Sequence, residues 1–395
     1  MADVRGVVEG FYGRPYTPRQ RRIILGALRR LRRPAYVYAP KSDPWHRRRW
    51  RQPYPADRWR EVEDLFASGR DFGVEVVFGI SPVGAGPGDA RAVRRKLSRA
   101  VESGAAGVCL LFDDQLESAG DDIAAAHMEL AAAAADGLGV PVSVCPAVYC
   151  TELERRMGGT AYLRRVSGLL PEGWELMWTG SEVVSRHLEV PDLDVPGLER
   201  PPLVWDNLLA DDYCLRRIYL SPLAGRVAEG CGYLLNPSSA FPVALHGVRE
   251  LVLACGADCP WPEELGGERG GWGILADFHH TPWGPSGRGR TMLEELAEAV
   301  GDGGPEPPWL APAAAALQRL TGDLPEMEGG FDLMPYALDL ARLLSIASQA
   351  LARGSGARAE LRRLLLKRLP CEHPLARLLL REAEGGGDSM GTEGE

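Results

Sequence analysis

Between residues 4 and 256 the chain alternates eight short apolar or β-branched runs with stretches of helical pattern, and few architectures accommodate that alternation. The strand-like runs are Val4 to Glu9, Ala35 to Ala39, Val74 to Ser81, Gly107 to Asp113, Val140 to Val148, Glu175 to Thr179, Pro202 to Asp206 and Gly232 to Asn236. Several are apolar throughout, as parallel strands covered on both faces require. Helix punctuation supports the segments between them. In Thr17-Pro18-Arg19-Gln20, threonine is placed to cap a helix, proline to open its first turn and Gln20 to complete a capping box. Gly73 and Gly104 stand where the second and third helices should close in the left-handed conformation. Eight strands and eight connections in about 250 residues fit a (β/α)8 TIM barrel better than an open doubly wound sheet. The sixth connection, Ser181 to Pro201, is the weakest helix, because Pro191 and Pro196 interrupt it.

After Cys255 the pattern changes to a Gly/Pro/Trp-rich loop. Helical stretches follow at Thr291 to Val300, Ala311 to Thr321, Leu333 to Arg353 and Ala357 to Leu369, with no strand among them. The expected organisation is a barrel over residues 1–256, a small α-helical appendage over 257–384 and a disordered tail over 385–395. Arginine and lysine number 45 against 54 acidic residues, and a net charge of -9 gives no general attraction to a phosphate backbone, so nucleic acid is not an expected partner. No stretch approaches the roughly 18 uninterrupted apolar residues of a membrane span. The opening MADVRGVVEG lacks the apolar run of a secretory signal, and a cytoplasmic location is the expectation. The eight cysteines form no CxxC pair and have no clustered histidine, so no zinc site is expected and the thiols are read as reduced. A homodimer is compatible with the sequence, which does not fix the oligomeric state.

In a parallel barrel the functional site lies where the C-terminal strand ends meet, so polar residues there come first. They are Glu9 and Gly10 after the first strand, Lys41 after the second, Asp113 and Asp114 after the fourth, Tyr149 after the fifth, Trp178 after the sixth, Asp206, Asn207 and Asp212 after the seventh, and Asn236 after the eighth. Asp113 and Asp114 leave a buried strand together, so at least one points over the mouth. Paired acids that close cannot ionise independently, which leaves a proton donor beside an ionised partner, as glycoside cleavage needs. A helix cap, an Asx turn, or a magnesium site completed by the acids after the seventh strand would use the same residues. Tyr149 fits a packed aromatic or a donor to a polarised oxygen. Trp178 and Trp205 fit barrel packing or sugar platforms. Asn207, Asp212 and Asn236 fit ordinary turns, and Lys41 fits a surface lysine or a Schiff-base lysine.

Longer strings narrow these choices. GVVEGFYGRPYT, YVYAPKSDPWHRRRWRQPY, LLFDDQ, CPAVYC, MWTG, VWDN followed by DDY, and LLNPS fall on successive strand ends, and over residues 4–255 the chain resembles glycoside hydrolase family 84. The family contains O-GlcNAc hydrolases and related β-N-acetylglucosaminidases. The resemblance implies that Asp113 orients the substrate's 2-acetamido group and that Asp114 is general acid and then general base. It also implies that Tyr149 holds the acetamido oxygen and that Gly10 and Lys41 contact the sugar. Asn207 would help hold the acetamido end beside Trp205 in the pocket wall, and Asp212 and Asn236 would bind ring hydroxyls. Ala147-Val148 replaces a Thr-Glu pair common in the family, a change expected at the pocket rim. No acetyltransferase-like domain is expected after the barrel.

The implied reaction is retaining hydrolysis of terminal β-linked N-acetylglucosamine from a glycoprotein or glycan, assisted by the substrate's acetamide and needing no metal or organic cofactor. A metal-dependent barrel hydrolase and a non-catalytic sugar-binding barrel are the alternatives.

Overall fold

The computed structural model describes residues 4–115, 120–214, 217–226, 230–262, 265, 269–301 and 304–353. The expected helix at Ala357 to Leu369 and the tail at 385–395 lie outside them. The chain divides into two compact units, one of residues 1–218 and 222–262, the other of residues 219–221 and 263–395.

The first unit is a closed barrel of eight parallel strands in sequence order: β1 (Arg5–Glu9), β2 (Pro34–Tyr38), β3 (Glu75–Ile80), β4 (Gly107–Leu111), β5 (Val142–Cys145), β6 (Glu175–Trp178), β7 (Leu203–Asp206) and β8 (Tyr233–Leu235), with β8 pairing back onto β1. Seven lie inside their expected runs, and β2 begins one residue before its run, at Pro34. Helices α1 (Pro18–Leu28), α2 (Ala56–Phe72), α3 (Ala90–Glu102) and α4 (Asp121–Ala135) follow the first four strands; α5 (Thr151–Met157) and α6 (Thr160–Leu169) share the fifth connection, and α7 (Phe241–Ala254) follows β8. The Thr17 capping box forms as the sequence reads, with both reciprocal hydrogen bonds present. Gly73 closes α2 at φ 67°.

The expectation of a helix in every connection is corrected at two places. The sixth connection contains only a single 3-10 turn, Val190–Leu193, opened by Pro191. A proline there starts a turn but cannot continue a ladder that needs its missing N–H. The seventh contains no α-helix among the described residues.

Side chains alternate in and out along each strand, and this parity decides what each polar strand end does. Val8, Val37, Ala39, Leu111, Met177 and Trp205 belong to the core inside the barrel. Their neighbours Glu9, Trp178 and Asp206 therefore face the surrounding layer. Glu9 is fully buried, accepts a bidentate pair from Arg21 of α1 at 2.9 Å on both oxygens, and receives the Tyr36 hydroxyl at 2.5 Å. Asp206 is engaged the same way by Arg226 at 2.7 and 2.9 Å and by Tyr233 at 2.6 Å. These acids hold elements together. Replacing Arg21 by methionine should strand the Glu9 charge in the interior and cost about 3–5 kcal/mol of unfolding free energy by denaturant titration. A loss below about 1 kcal/mol, the scale of an exposed pair, would show that the pair does not support the fold.

The second unit is helical: α8 (Arg269–Phe278), α9 (Gly287–Gly301), α10 (Leu310–Asp323) and α11 (Gly330–Arg353). Helices α10 and α11 pack together through buried Leu310, Leu317, Leu320, Leu333, Leu340 and Leu344. No helix among the described residues is long and apolar enough to cross a membrane.

Candidate active site

The C-terminal strand ends surround a cavity of about 270 Å³, close to the lower end of the roughly 300–1,000 Å³ usual for small-molecule sites and suited to one sugar ring. Its wall contains Gly10, Lys41, Asp113, Asp114, Tyr149, Trp205, Asn207, Asp212 and Asn236, nine of the twelve residues singled out from the sequence. Glu9 and Asp206 face the outer layer, and Trp178 is a correction. It is fully buried, its indole N–H is donated to the Asp192 carbonyl at 2.9 Å, and it does not line the cavity. Met177 takes the inward position on β6, so Trp178 points outward.

The acid pair shows why both neighbours can serve one cavity. Leu111 faces inward, so regular alternation sends Phe112 outward, where it stacks on His127 of α4 at 4.2 Å, and Asp113 inward. Asp114 would then turn away. Instead its backbone is left-handed at φ 56°, unique among the described non-glycine residues, and the carboxylate comes back to the wall of the cavity. Strain of this kind collects at functional sites.

Asp113 is buried and forms an ion pair through Oδ2 with the equally buried Lys41, whose ammonium also lies 5.8 Å from the Trp205 ring centroid. Asp113 Oδ1 is buried and has no hydrogen-bond partner among the described residues. A buried carboxylate oxygen calls for a hydrogen-bond donor, and on the cavity wall a bound substrate can supply it. Asp114 accepts the Tyr149 hydroxyl on Oδ1 at 2.8 Å and the Tyr12 hydroxyl on Oδ2 at 3.0 Å. Burial first, then the Asp114 charge, raises both phenols above their ordinary range, so each remains a proton-bearing donor at neutral pH.

Across the cavity Asn207 Oδ1 accepts from the Trp205 indole at 2.8 Å and from Asn236 at 2.9 Å, while its own amide is donated to Val183 O at 2.8 Å. Asn236 Oδ1 accepts the Gly10 N–H at 3.2 Å. A Cβ on Gly10 would lie 2.3 Å from Trp205 Cζ2, so only glycine lets the first loop approach the indole this closely. Asp212 Oδ2 accepts the Tyr12 N–H at 2.8 Å, and burial raises the pKa of its carboxyl. Of the acids that a magnesium site would borrow after β7, Asp206 is engaged by Arg226 and Tyr233, and Asp212 lines the cavity with Oδ2 accepting the Tyr12 N–H.

Sequence reasoning missed Tyr12, Cys145, Thr179, Val183, Val184 and Tyr213, which also line the cavity. Tyr12 and Tyr213 are partly exposed aromatics. Tyr12 lies inside the GFYGR string, and its position three residues beyond β1 was the available signal.

A parallel barrel with a sugar-sized cavity, paired carboxylates on one strand end and phenolic donors facing them is the arrangement expected of a barrel glycoside hydrolase. Residues 5–247 match the family model for beta-N-acetylglucosaminidase, and the chain belongs to that family, glycoside hydrolase family 84. It is 33% identical over 264 residues to the protein O-GlcNAcases of Mus musculus and Rattus norvegicus, a match covering 61% of this chain and 29% of each relative. The chain thus spans less than a third of the length of these relatives. The solved structure of a mutant Thermobaculum terrenum O-GlcNAc hydrolase shares the fold, with a TM-score of 0.76 at 19% identity over 97% of this chain and 96% of that one.

Proposed function

We propose that this chain hydrolyses terminal β-linked N-acetylglucosamine with retention, by substrate-assisted catalysis through an oxazoline, on GlcNAc-bearing glycoproteins or glycans. The observation that carries this reading is the division of labour between neighbouring acids: Asp113 is pinned by Lys41 with one oxygen unpartnered, and Asp114 faces two phenols.

Two carboxylates that act by forming a covalent sugar intermediate stand roughly 5–5.5 Å apart on opposite faces of the ring. Sequence neighbours on one strand end are poorly placed to straddle it. They serve two ends of one substrate instead. The acetamide carbonyl oxygen attacks the anomeric carbon as the bond to the aglycone breaks, and Asp114 gives its proton to the departing oxygen. Asp113 Oδ1 takes the acetamide N–H and stabilises the positive charge growing on that nitrogen. Tyr149 leaves Asp114 and donates to the acetamide oxygen. Asn207, with one amide hydrogen uncommitted by the bonds above, supports the same end of the substrate. Asp212 and Asn236 hold ring hydroxyls, with Gly10, Lys41 and Trp205 shaping the sugar's seat. In the second half Asp114, now a carboxylate, removes a proton from the water that opens the oxazoline, which restores both acids.

Assay of an aryl β-N-acetylglucosaminide tests the reading directly. Turnover with retained configuration is expected, at a rate unchanged by a chelator. Binding without turnover would return the chain to a sugar-binding barrel, and loss of activity on chelation would return it to a metal-dependent hydrolase.

A further inference from the structure

Asp114 is held from two other strand ends by residues outside the scheme above. Arg47, in the turns after β2, donates Nη2 to the Asp114 carbonyl oxygen at 3.3 Å and lays its guanidinium 5.5 Å from the Tyr12 ring centroid. Tyr12, in the loop after β1, donates its hydroxyl to Asp114 Oδ2 and has its own N–H fixed by Asp212. The backbone so gripped is the left-handed one at φ 56°, a conformation that a residue with a side chain keeps only when its surroundings enforce it.

The two tyrosines take different oxygens of Asp114, Tyr149 Oδ1 and Tyr12 Oδ2. The Tyr149 ring packs on the barrel core and its carbonyl oxygen accepts from Thr179, so its hydroxyl can turn from Oδ1 to an arriving acetamide oxygen while the residue stays in place. Tyr12 is fixed at its ring by Arg47 and at its backbone by Asp212.

We propose that Tyr12 and Arg47 are positioning residues for the general acid: they anchor Asp114 Oδ2 and its strained backbone, so that Oδ1 alone is presented to the glycosidic oxygen. The proposal rests on the reading of Asp114 as the acid. When Tyr149 moves to the acetamide, Oδ1 is vacated and carries the proton that passes to the leaving oxygen. Oδ2 stays hydrogen-bonded to Tyr12 throughout. The carboxyl then cannot rotate its proton away from the scissile bond, and in the second half the same oxygen receives the proton of the incoming water. A group that positions an acid in this way matters in proportion to how much the leaving group needs a proton.

Cleavage of the phenyl and 2,4-dinitrophenyl β-N-acetylglucosaminides by wild type, Tyr12→Phe, Arg47→Gln and Asp114→Asn tests this. Tyr12→Phe keeps the ring and removes only the hydroxyl. It should lower kcat/KM for the phenyl glycoside about tenfold more than for the dinitrophenyl glycoside, whose leaving group departs without a proton. Arg47→Gln, which removes the guanidinium but not the chain stem, should shift the ratio in the same direction. Loss by equal factors on both substrates, the mark of a residue that merely supports the fold or the sugar's seat, would overturn the proposal, as would no loss at all. If Asp114→Asn itself shows no dependence on leaving group, the acid assignment fails and the clamp falls with it. If Asp114→Asn discriminates while Tyr12→Phe and Arg47→Gln do not, the acid stands and the clamp alone is wrong.

Discussion

Asp114→Asn should nearly abolish cleavage of an alkyl or seryl β-N-acetylglucosaminide while sparing much of the first step with a dinitrophenyl leaving group. The departing alkoxide is strongly basic and cannot leave without a proton, whereas dinitrophenolate can. Asp113→Asn should behave differently, because Asp113 acts on the acetamide whatever leaves. Both substrates should slow by similar factors, on the order of a hundredfold or more. The structure separates the two predictions: Asp113 is tied to Lys41 deep in the cavity, and Asp114 is tied to phenols on its wall. Asp113→Asn also leaves the buried Lys41 ammonium facing a neutral amide, so its folded fraction must be measured alongside its rate. Rescue of Asp113→Asn by the good leaving group, with Asp114→Asn unrescued, would exchange the two roles.

The barrel was legible because eight apolar runs of strand length can be counted, and each bridges to the next in sequence order. The sixth and seventh connections were less so. Pro191 signals a break in a helix but does not say that a single 3-10 turn replaces it. At the strand ends the sequence names the polar residues but not their direction, and direction separates Glu9 and Asp206, which pair with arginines of the outer layer, from Lys41 and Asp113, which meet inside. Period-two counting from the apolar interior would have sorted them, and it would have removed Trp178, whose inward neighbour is Met177. The same counting fails at Asp114, since nothing in LLFDDQ announces a left-handed aspartate. It fails at Tyr12 as well, which reaches the acid from a loop where alternation no longer applies. Sequence patterns capture what repeats along an element, and the residues missed are those fixed by contacts between one loop and the next.

Replacing the methyl hydrogens of the substrate's acetamide by fluorine should depress the wild-type rate steeply, by about a hundredfold or more from acetyl to trifluoroacetyl, equivalent to about 3 kcal/mol of barrier. Fluorine draws electrons from the carbonyl oxygen, which in the proposed reaction is the nucleophile. The loss should fall mainly on kcat. The carbonyl can still accept the Tyr149 hydroxyl and the sugar still meets Asp212 and Asn236, so ground-state binding changes less than the transition state does. A protein nucleophile would be nearly indifferent to the acetyl group. Among the described residues the cavity wall offers one further carboxylate besides the neighbouring pair, Asp212, engaged by the Tyr12 N–H. A rate insensitive to fluorination would therefore end the oxazoline mechanism and make Asp212 the residue to examine as nucleophile. A steep decline that persists in Asp114→Asn on the dinitrophenyl substrate would place the acetamide, and not any carboxylate, at the anomeric carbon when the bond breaks.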